Sequence, residues 1–386
     1  MTTHTVTVLP GDGIGPEVTA ATMLVLNATG VPIVWEHQSI GLSAFEATGE
    51  FLPETAIAAV KKNKVGLKGP TGTTVGGGGH RSINVALRKE FDLYFNVRPV
   101  QSMPGVVTPF PGVDLIVFRE NAEDLYIGEE RTYFVNGKRV AEAISRITEV
   151  GCERFARRAY TYARAHGRKK MTIVHKGNIL QDTHGLFLEI ARKVSGEFPD
   201  IATEDLIADN FGMQLVKELW HNPRRFDCLL LTNMFGDLFS DVCAGLVGGL
   251  GLAPGANIGD EYAVFEAVHG TAPDIAGKGI ANPTALILSA AMMLDHLGEV
   301  AAASRVRRAV EAVLREGVTV TGDINPRSRV LLITKMLDGL GDWSVADKLR
   351  HTLEDALRED TTVHHVGNPK NPASTLDFAH AVIAKL

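Results

Sequence analysis

The sequence predicts an α/β protein in which a largely parallel sheet carries helices on its faces. Strand-like apolar segments alternate with helical segments along the 386 residues, and the 39 glycines cluster where apolar segments end. Hydrophobic residues make up 45% and charged residues 22% of the chain, which is typical of a globular protein and excludes a disordered one. Ligands of such sheets bind where strands end and loops begin, so functional residues are expected there.

The individual elements follow from apolar periodicity and from the residues that start helices or form turns. Strands are predicted at residues 5–9, 113–118, 171–174 and 227–231. Helices are predicted at residues 16–27, 82–91, 148–166, 184–194 and 300–315. Asn282 and Pro283 start a further helix, whose mostly apolar residues 285–294 indicate burial in a core or a subunit interface. An Asn-Gly pair predicts a hairpin, or arm, at residues 131–140.

Charge and cysteine content exclude several classes of protein. Lys and Arg number 39 and Asp and Glu 45, and this net charge of −6 excludes a generally basic nucleic-acid-binding protein. Cys152, Cys228 and Cys243 are too few and too scattered for a disulfide framework or a thiolate metal site. No signal peptide is evident, and the most apolar helical stretch is too short to cross a bilayer. We therefore expect a cytoplasmic protein with a small-molecule substrate and neither nucleic acid nor membrane as a partner.

Two glycine clusters are candidate binding loops. The first, Gly-Asp-Gly-Ile-Gly at residues 11–15, lacks the third glycine of a dinucleotide fingerprint, and Pro16 removes an N–H that a phosphate would need. A tight structural turn is therefore favoured there. The second cluster, residues 76–79, would let a ligand approach the backbone closely, although a flexible linker loop explains it equally well.

Three arginines at the ends of predicted elements suit a ligand with several carboxylates. Arg88 shares a helix face with Asn84, Ser82 lies at the start of that helix, and Arg98 and Arg119 each belong to a strand-like segment. A guanidinium binds a carboxylate through two parallel hydrogen bonds. Any one of these arginines, taken alone, is more simply explained as a surface residue.

Two aspartates follow the predicted strand at residues 227–231. Asp237 and Asp241 are four residues apart on one helix face, where they repel each other unless a cation neutralises them. Carboxylate oxygens suit Mg²⁺ or Mn²⁺, and Asp209 is a candidate third ligand. A helix cap at Asp237 and a solvated Asp241 would explain the pair equally well.

Four motifs, taken in order, resemble those of the β-decarboxylating dehydrogenases, the family of isocitrate, 3-isopropylmalate, homoisocitrate and tartrate dehydrogenases. They are PGDGIGPE at residues 10–17, REN at 119–121, GDLFSD at 236–241 and FEAVHGTAPD at 265–274. The resemblance implies a two-domain isocitrate/isopropylmalate dehydrogenase-like fold with a mixed, largely parallel sheet, not a Rossmann fold. The implied large domain comprises residues 1–98 and 250–386, and the small domain comprises residues 99–249 with a dimerisation arm near 131–147.

The same resemblance implies a homodimer or dimer-based oligomer whose protomers share their active sites and hold Mg²⁺ or Mn²⁺. Asp237 and Asp241 would come from one protomer, with Asp209 from the other. Lys176 would act across the dimer as a proton relay, and Tyr126 would protonate the enolate left by decarboxylation. Outside the motif context, a surface lysine and a half-buried tyrosine would be the simpler interpretation.

Within the family, the segment Ser-Ile-Asn-Val-Ala-Leu-Arg at residues 82–88 resembles the isocitrate version. An isopropyl group would leave the polar side chains of Ser82 and Asn84 unpaired, which disfavours isopropylmalate. Homoisocitrate is the main alternative, because one extra methylene discriminates by only about 1–3 kcal/mol. A non-catalytic regulatory subunit is a further alternative, although such subunits typically lose the catalytic Tyr, Lys or Asp residues that this chain keeps.

The pair Asp274-Ile275 favours NAD, since the NADP enzymes of the family commonly carry Lys-Tyr there and a carboxylate repels the 2′-phosphate. The resemblance implies further cofactor contacts from Thr73, Asn178, Glu266, His269, Gly270, Thr271, Ala272 and Asn282. The sequence departs from the family by an insertion near residues 324–371, which is predicted to be helical and to form a subdomain or an interface.

Overall fold

The structure, a computed structural model, describes residues 2–72, 82–324 and 372–386. Its strands are β1 (His4–Leu9), β2 (Ile33–His37), β3 (Val65–Lys68), β4 (Phe95–Gln101), β5 (Asp114–Glu120), β6 (Glu130–Val135), β7 (Lys138–Ala143), β8 (Lys170–His175), β9 (Ala202–Ile207), β10 (Cys228–Leu231), β11 (Pro254–Ile258) and β12 (Ala263–Ala267). Its helices are α1 (Gly15–Ala28), α2 (Leu42–Thr48), α3 (Glu54–Asn63), α4 (Ile83–Glu90), α5 (Glu149–Ala165), α6 (Thr183–Ser195), α7 (Ala208–His221), α8 (Asn233–Val247), α9 (Thr284–His296), α10 (Val300–Glu316) and α11 (Thr375–Ile383). The predicted α/β class is confirmed, and the predicted insertion near 324–371 lies almost wholly outside the described residues.

Ten of these strands form one mixed sheet in the order β2-β1-β3-β12-β11-β4-β5-β10-β8-β9. The pairs β12–β11, β11–β4 and β4–β5 are antiparallel, and the other neighbours run parallel. The strands on either side of the antiparallel centre come from the two predicted domains. The domain boundaries themselves stay a prediction, and β4 runs through the one at residues 98–99.

Helix α9 lies in the core, and all of its residues from Thr284 to Leu294 are buried, as the apolar segment predicts. The Asn282 side chain accepts the Thr284 backbone N–H at 3.0 Å, so the predicted helix start is present. Helix α9 packs against β11 and β12, and Ser289 accepts the Gly255 N–H at 3.1 Å. The strands that carry the candidate site therefore rest on a rigid apolar support.

The hairpin of β6 and β7 forms a separate two-stranded sheet with little side-chain burial. Its turn is the predicted Asn-Gly pair, in which both residues have positive φ, 49° at Asn136 and 73° at Gly137. Phe134 is 70% exposed on this hairpin. The predicted hairpin is thus present, with mostly exposed side chains that include both charged residues and the apolar Phe134.

The glycines at residues 11–15 form a tightly packed structural turn, as their spacing predicts. An added Cβ at Gly11 would lie 2.1 Å from the Pro70 carbonyl oxygen, and one at Gly13 would lie 2.1 Å from that of Thr271. Asp12 accepts the Leu42 and Gly72 backbone N–H groups at 2.7 and 2.8 Å. The turn consequently holds together the loops that border the candidate site.

The thiols of Cys152, Cys228 and Cys243 are free and buried. Among the described residues, no helix combines the length and apolarity needed to span a bilayer.

Candidate active site

A polar cleft lies beside the carboxyl ends of β3 and β12, between these strands, α4 and α8. Its space, which is open to solvent, amounts to about 600 Å³. The charged side chains that line it are Lys68, Arg88, Arg98, Asp237, Asp241 and Glu266. Sequence analysis predicted all of these except Lys68, and the fold brings them together from five different elements.

Two guanidinium groups, those of Arg88 and Arg98, line this cleft, and a third, that of Arg119, pairs with the cleft residue Asp237. All three are more than 90% buried. Arg98 donates from Nε to Asn96 Oδ1 at 2.8 Å and from Nη1 to the Ser240 hydroxyl at 2.6 Å. Arg119 donates to Asn233 and to Asp237. Within the described part of the chain, Arg88 Nε has no hydrogen-bond partner. The cluster therefore holds at least one buried cationic donor that a ligand can use.

Burial and repulsion between the guanidinium groups lower the pKa values of Arg88 and Arg98. Loss of solvent, and then the charge of Arg119, lower the pKa of Arg88 to about 10 and that of Arg98 to about 9. Both groups remain cationic near pH 7. A bound polyanion would relieve the repulsion between the cations, so the electrostatics favour a ligand with several carboxylates.

Asp237 supplies negative charge to the same cleft, and Tyr126 contacts this carboxylate. The Tyr126 hydroxyl donates to Asp237 Oδ2 at 2.5 Å, and the Tyr126 ring centroid lies 4.9 Å from the Arg119 guanidinium carbon. Burial and this hydrogen bond raise the pKa of Tyr126, so its hydroxyl keeps its proton near neutral pH. Burial, the largest single effect, opposes ionisation of Asp237, but the charges of the three arginines and the Tyr126 hydrogen bond together outweigh it and lower the pKa of that carboxyl.

Asp241 completes the predicted pair of carboxylates, one helical turn after Asp237 on α8. Burial raises the pKa of Asp241, and the charge of Asp237 adds to this effect although Arg98 opposes it. A divalent cation would neutralise the pair, and both donors are the carboxylate oxygens that Mg²⁺ and Mn²⁺ prefer. These two residues therefore fit part of a metal site. Across residues 2–72, 82–324 and 372–386, no three His, Cys, Asp or Glu side chains converge to complete one.

The remaining predicted catalytic and metal residues form a second group outside this cleft. Lys176 directly follows β8, and its Nζ lies 2.6 Å from Asp209 Oδ1 at the start of α7. The pairing lowers the pKa of Asp209. Both side chains face solvent, and the predicted nicotinamide neighbour Asn178 is exposed beside them. The predicted site residues of one chain thus lie in two separate groups, the Tyr126 half-site (Tyr126, Asp237, Asp241 and the arginines) and the Lys176 half-site (Lys176, Asp209 and Asn178).

A second, more apolar cleft adjoins the polar one and shares His269 and Gly270 with it. The predicted cofactor residues that line it are His269, Gly270, Ala272, Ile275 and Asn282. Glu266 lines the polar cleft, and Asp274 is exposed on the loop between Ala272 and Ile275. Thr271 supports that loop, since its carbonyl oxygen accepts the Ile14 N–H at 3.0 Å. Thr73 lies outside the described residues.

Lys68, Asn96 and Asn257 were not predicted from the sequence. Lys68 and Asn96 line the polar cleft, and Asn257 lies buried behind them. Lys68 Nζ lies 2.6 Å from Glu266 Oε2, and the side chain is only 1% exposed. Burial opposes ionisation of Glu266, but the charges of Lys68 and Arg88 prevail and lower its pKa to about 2. The available signal was a polar residue within a short, otherwise apolar strand that precedes a glycine or proline loop.

Comparison with known proteins gives a consistent result. A family model described as isocitrate/isopropylmalate dehydrogenase matches residues 5–340. The mitochondrial NAD isocitrate dehydrogenase catalytic subunit 5 of Arabidopsis thaliana is 48% identical over 321 residues, which cover 83% of this chain and 84% of that protein. A mitochondrial NAD isocitrate dehydrogenase regulatory subunit of Dictyostelium discoideum is 48% identical over 83% and 86% of the two chains. A chloroplastic 3-isopropylmalate dehydrogenase of Solanum tuberosum is 46% identical over 81% and 85%.

A crystal structure of isocitrate dehydrogenase from Methylococcus capsulatus has a TM-score of 0.84 to this chain, with 44% identity and 99% coverage of both chains. This likeness confirms the predicted isocitrate/isopropylmalate dehydrogenase-like fold around a mixed sheet. The expected cytoplasmic location is wrong on these comparisons, because the NAD isocitrate dehydrogenase relatives at 45–48% identity are named as mitochondrial proteins.

Proposed function

Because this chain belongs to the isocitrate/isopropylmalate dehydrogenase family, we propose that it oxidises isocitrate with NAD and releases CO₂ to give 2-oxoglutarate. The observation that carries the proposal is that Arg88, Arg98, Asp237 and Asp241 line one cleft, with Arg119 paired to Asp237. A substrate with three carboxylates and an alcohol matches the charges on both sides of that cleft.

The polar character of α4 supports isocitrate over isopropylmalate. Asn84 lines the cleft and accepts the Thr71 hydroxyl at 3.1 Å, and Ser82 precedes it as the N-cap residue of α4. An isopropyl group beside these side chains would remove polar atoms from water without a partner, whereas a carboxylate would accept their hydrogen bonds. Homoisocitrate remains the second candidate, because it presents the same three carboxylates.

Asp237 and Asp241, with Asp209 of a second copy, would hold Mg²⁺ or Mn²⁺. Such an ion, when bound, stabilises negative charge on the alcohol oxygen of the substrate and on the oxygen of the enolate. NAD would occupy the apolar cleft, with His269 and Asn282 beside the adenosine, and Asp274 on the adjoining loop would accept hydrogen bonds from the ribose hydroxyls. NAD supplies the hydride acceptor.

The chain's own residues perform the remaining work. The arginines orient the substrate carboxylates. Lys176 of a second copy takes the proton of the alcohol oxygen while the carbon that bears this oxygen gives up its hydride to NAD. The resulting β-keto acid loses CO₂ when its C–C bond breaks and the electron pair forms an enolate. Tyr126 then delivers its proton to the enolate carbon. Its raised pKa and its position in the cleft suit an acid that must still hold its proton at neutral pH.

The separation of the two half-sites supports a homodimer. Helices α7 and α8 carry exposed apolar side chains, namely Met213, Val216 and Trp220 on α7 and Leu238 and Val242 on α8. Apolar faces of this extent favour burial in a subunit interface, and the β6–β7 arm adds a further apolar surface. Pairing across α7 and α8 would bring Lys176 and Asp209 of one copy toward Tyr126 and Asp241 of the other.

The catalytic assignment is preferred over a regulatory subunit, although one relative carries that name. The chain retains Tyr126, Lys176, Asp237 and Asp241, and the contact between Tyr126 and Asp237 is already formed. A protein without turnover would have no chemical need for a buried acid beside a pair of carboxylates.

The purified chain should be assayed with isocitrate, homoisocitrate, 3-isopropylmalate and tartrate, each with NAD or NADP and with Mg²⁺ or Mn²⁺. We expect the highest kcat/KM for isocitrate with NAD, and no turnover without the divalent ion. A higher kcat/KM for homoisocitrate would move the assignment to that substrate. An absence of turnover with every combination would favour a regulatory subunit.

A further inference from the structure

Asn257 lies at the centre of a buried chain of hydrogen bonds whose other members, Lys68, Glu266, Asn96 and Arg98, line the polar cleft. It belongs to β11, is 2% exposed, and has neighbours on β12 and β4. Its Nδ2 donates to Glu266 Oε1 at 2.7 Å. Its Oδ1 accepts the side-chain amides of Asn96 and Asn121, each at 2.9 Å. One side chain therefore links Glu266 on β12 to Asn96 on β4, two residues that both line the polar cleft.

The chain continues from Asn96 to the substrate arginine. Asn96 Oδ1 accepts Nε of Arg98 at 2.8 Å, and Arg98 Nη1 reaches Ser240 on α8. Glu266, at the other end, also accepts from Lys68. Hydrogen bonds thus connect Lys68, Glu266, Asn257, Asn96 and Arg98 in that order without a break, and each of them is 2.9 Å or shorter.

The two ends of this chain fix the direction of every hydrogen bond in it. An ionised Glu266 can only accept, so Asn257 must present its NH₂ group to that carboxylate. Arg98 can only donate, so Asn96 must present its carbonyl oxygen to the guanidinium. The NH₂ group of Asn96 is then left to donate to the carbonyl oxygen of Asn257, as it does in the structure. A single amide orientation satisfies all the partners, and both ends of the Asn257 amide are in use.

We propose that Asn257 is a positioning residue which holds the Arg98 guanidinium, through Asn96, in the orientation that binds the substrate carboxylate. The inference rests on the proposed function, because it assumes that Arg98 binds isocitrate. Asn257 does not itself contact the ligand of either cleft in this arrangement: it acts through Asn96 on one side and Glu266 on the other. Its loss should therefore weaken isocitrate binding more than it slows the chemical steps.

Two substitutions separate this role from simple packing. In Asn257→Leu, the side chains of Glu266, Asn96 and Asn121 lose a partner at every pH. In Asn257→Asp, an ionised carboxylate cannot donate to Glu266 and adds a second negative charge beside it. A protonated Asp donates through its hydroxyl and accepts through its carbonyl oxygen, which reproduces the pattern of the amide.

The charged groups around position 257 determine how that Asp titrates. They are Glu266 on β12, Lys68 on β3, Arg98 on β4 and Arg88 on α4. The neighbouring carboxylate and the burial favour the protonated form, whereas the three cations oppose it. The defect of Asn257→Asp should therefore shrink as the pH falls, and that of Asn257→Leu should not.

The experiment measures KM for isocitrate, KM for NAD and kcat from pH 6 to 8.5 for the complete enzyme with Mn²⁺. Each value is expressed relative to the unsubstituted enzyme at the same pH. At pH 8.5 we expect both variants to raise KM for isocitrate about tenfold or more, with a smaller change in kcat. At pH 6 the Asn257→Asp defect should be several-fold smaller.

Tyr160→Phe is the matched control, because it removes a buried hydroxyl that lies 2.9 Å from Thr203 on β9, the strand at the far edge of the sheet. It should leave KM for isocitrate unchanged even where its melting temperature falls. If Asn257→Leu fails to fold, Asn257→Asp alone tests the inference by its pH-dependent KM.

An unchanged KM for isocitrate in Asn257→Asp at pH 8.5, or a defect equal at every pH, would overturn the role assigned to Asn257. Failure of the proposed function has a different signature, since the unsubstituted enzyme itself would then show no turnover of isocitrate.

Discussion

The Tyr126 hydroxyl lies 2.5 Å from Asp237 Oδ2, and Arg119 occupies the other oxygen of the same carboxylate. Asp237 therefore fixes the position of the proposed acid relative to the arginine proposed to bind substrate, Arg119. The two residues are 111 positions apart in the chain, and β5 and α8 bring them together. This contact makes the proton donor part of the arginine-aspartate cluster and not an independent surface group.

Replacing Tyr126 with Phe should slow isocitrate turnover by about 10²- to 10⁴-fold, because the enolate loses its positioned acid. Reduction of the β-keto acid by NADH should suffer less, since that half of the reaction does not need the tyrosine proton. Steady-state assays of isocitrate turnover and of β-keto acid reduction by NADH measure the difference between the two rates. Tyr133→Phe is the control, because Tyr133 donates to Glu142 on the exposed arm. Equal slowing of both half-reactions would argue against the role of Tyr126 as the enolate acid.

Replacing Lys68 with Met should destabilise the fold by about 3 kcal/mol, because it leaves Glu266 buried without its main counter-charge. In the unsubstituted chain the pKa of Glu266 is depressed to about 2. The stability that its ionisation contributes is thus complete above the unfolded pKa of about 4.5 and lost as pH falls toward 2. Without Lys68, burial raises that pKa instead, so the variant should regain stability relative to the unsubstituted chain as pH falls from neutrality.

Urea unfolding at pH 8 and pH 5.5 checks both the size and the sign of this effect. Lys62→Met provides the control, since Lys62 is 70% exposed and pairs with Glu36 at 3.1 Å. An exposed pair of this kind contributes less than about 1 kcal/mol. If both substitutions lowered the free energy of unfolding equally, the buried pair would contribute no more to stability than the exposed pair.

Replacing Asp274 and Ile275 together with Lys and Tyr should lower kcat/KM for NAD and raise it for NADP. A carboxylate beside the ribose repels a 2′-phosphate, and a lysine attracts it. We expect the ratio of the two kcat/KM values to change by at least about tenfold, which corresponds to about 1.4 kcal/mol. Glu149→Lys controls for a change of net charge at an exposed site on α5. If the ratio of kcat/KM for NAD to that for NADP did not change, Asp274 would not be a contact of the ribose hydroxyls.

Charged substitutions on the apolar face of α8 should separate the protomers. Leu238→Lys with Val242→Glu places charges where the proposed interface needs apolar contact, so the dimer should dissociate and activity should fall in parallel. Sedimentation velocity and activity measured on the same samples test this. Leu24→Glu, at an exposed position on α1, should change neither. An active monomer would contradict the idea that one chain holds only half of a site.

The sequence predicted most elements because their signals are local. The α9 helix follows from Asn282, Pro283 and the apolar run after them, and the Asp237–Asp241 pair follows from a spacing of four residues. The buried network could not be predicted in this way. Lys68 and Glu266 are 198 residues apart, and Asn121 and Asn257 are 136 apart, so only the order of strands in the sheet brings them together.

The separation of Lys176 from Tyr126 in one chain is the feature on which the shared-site proposal depends. Tyr126→Phe and Lys176→Met should each be nearly inactive alone, because each removes one half-site. A heterodimer of the two variants has one site with both defects and one intact site. Random pairing of equal amounts after co-refolding should therefore restore about one quarter of the unsubstituted activity.

This complementation assay shows whether Tyr126 of one protomer and Lys176 of its partner act in the same site. Recovery near one quarter, in proportion to the heterodimer content measured by mass spectrometry, is the result that we predict. A mixture that contains heterodimer and remains as inactive as either variant alone would show that Lys176 and Tyr126 of the same chain act together, which would contradict a site shared between protomers.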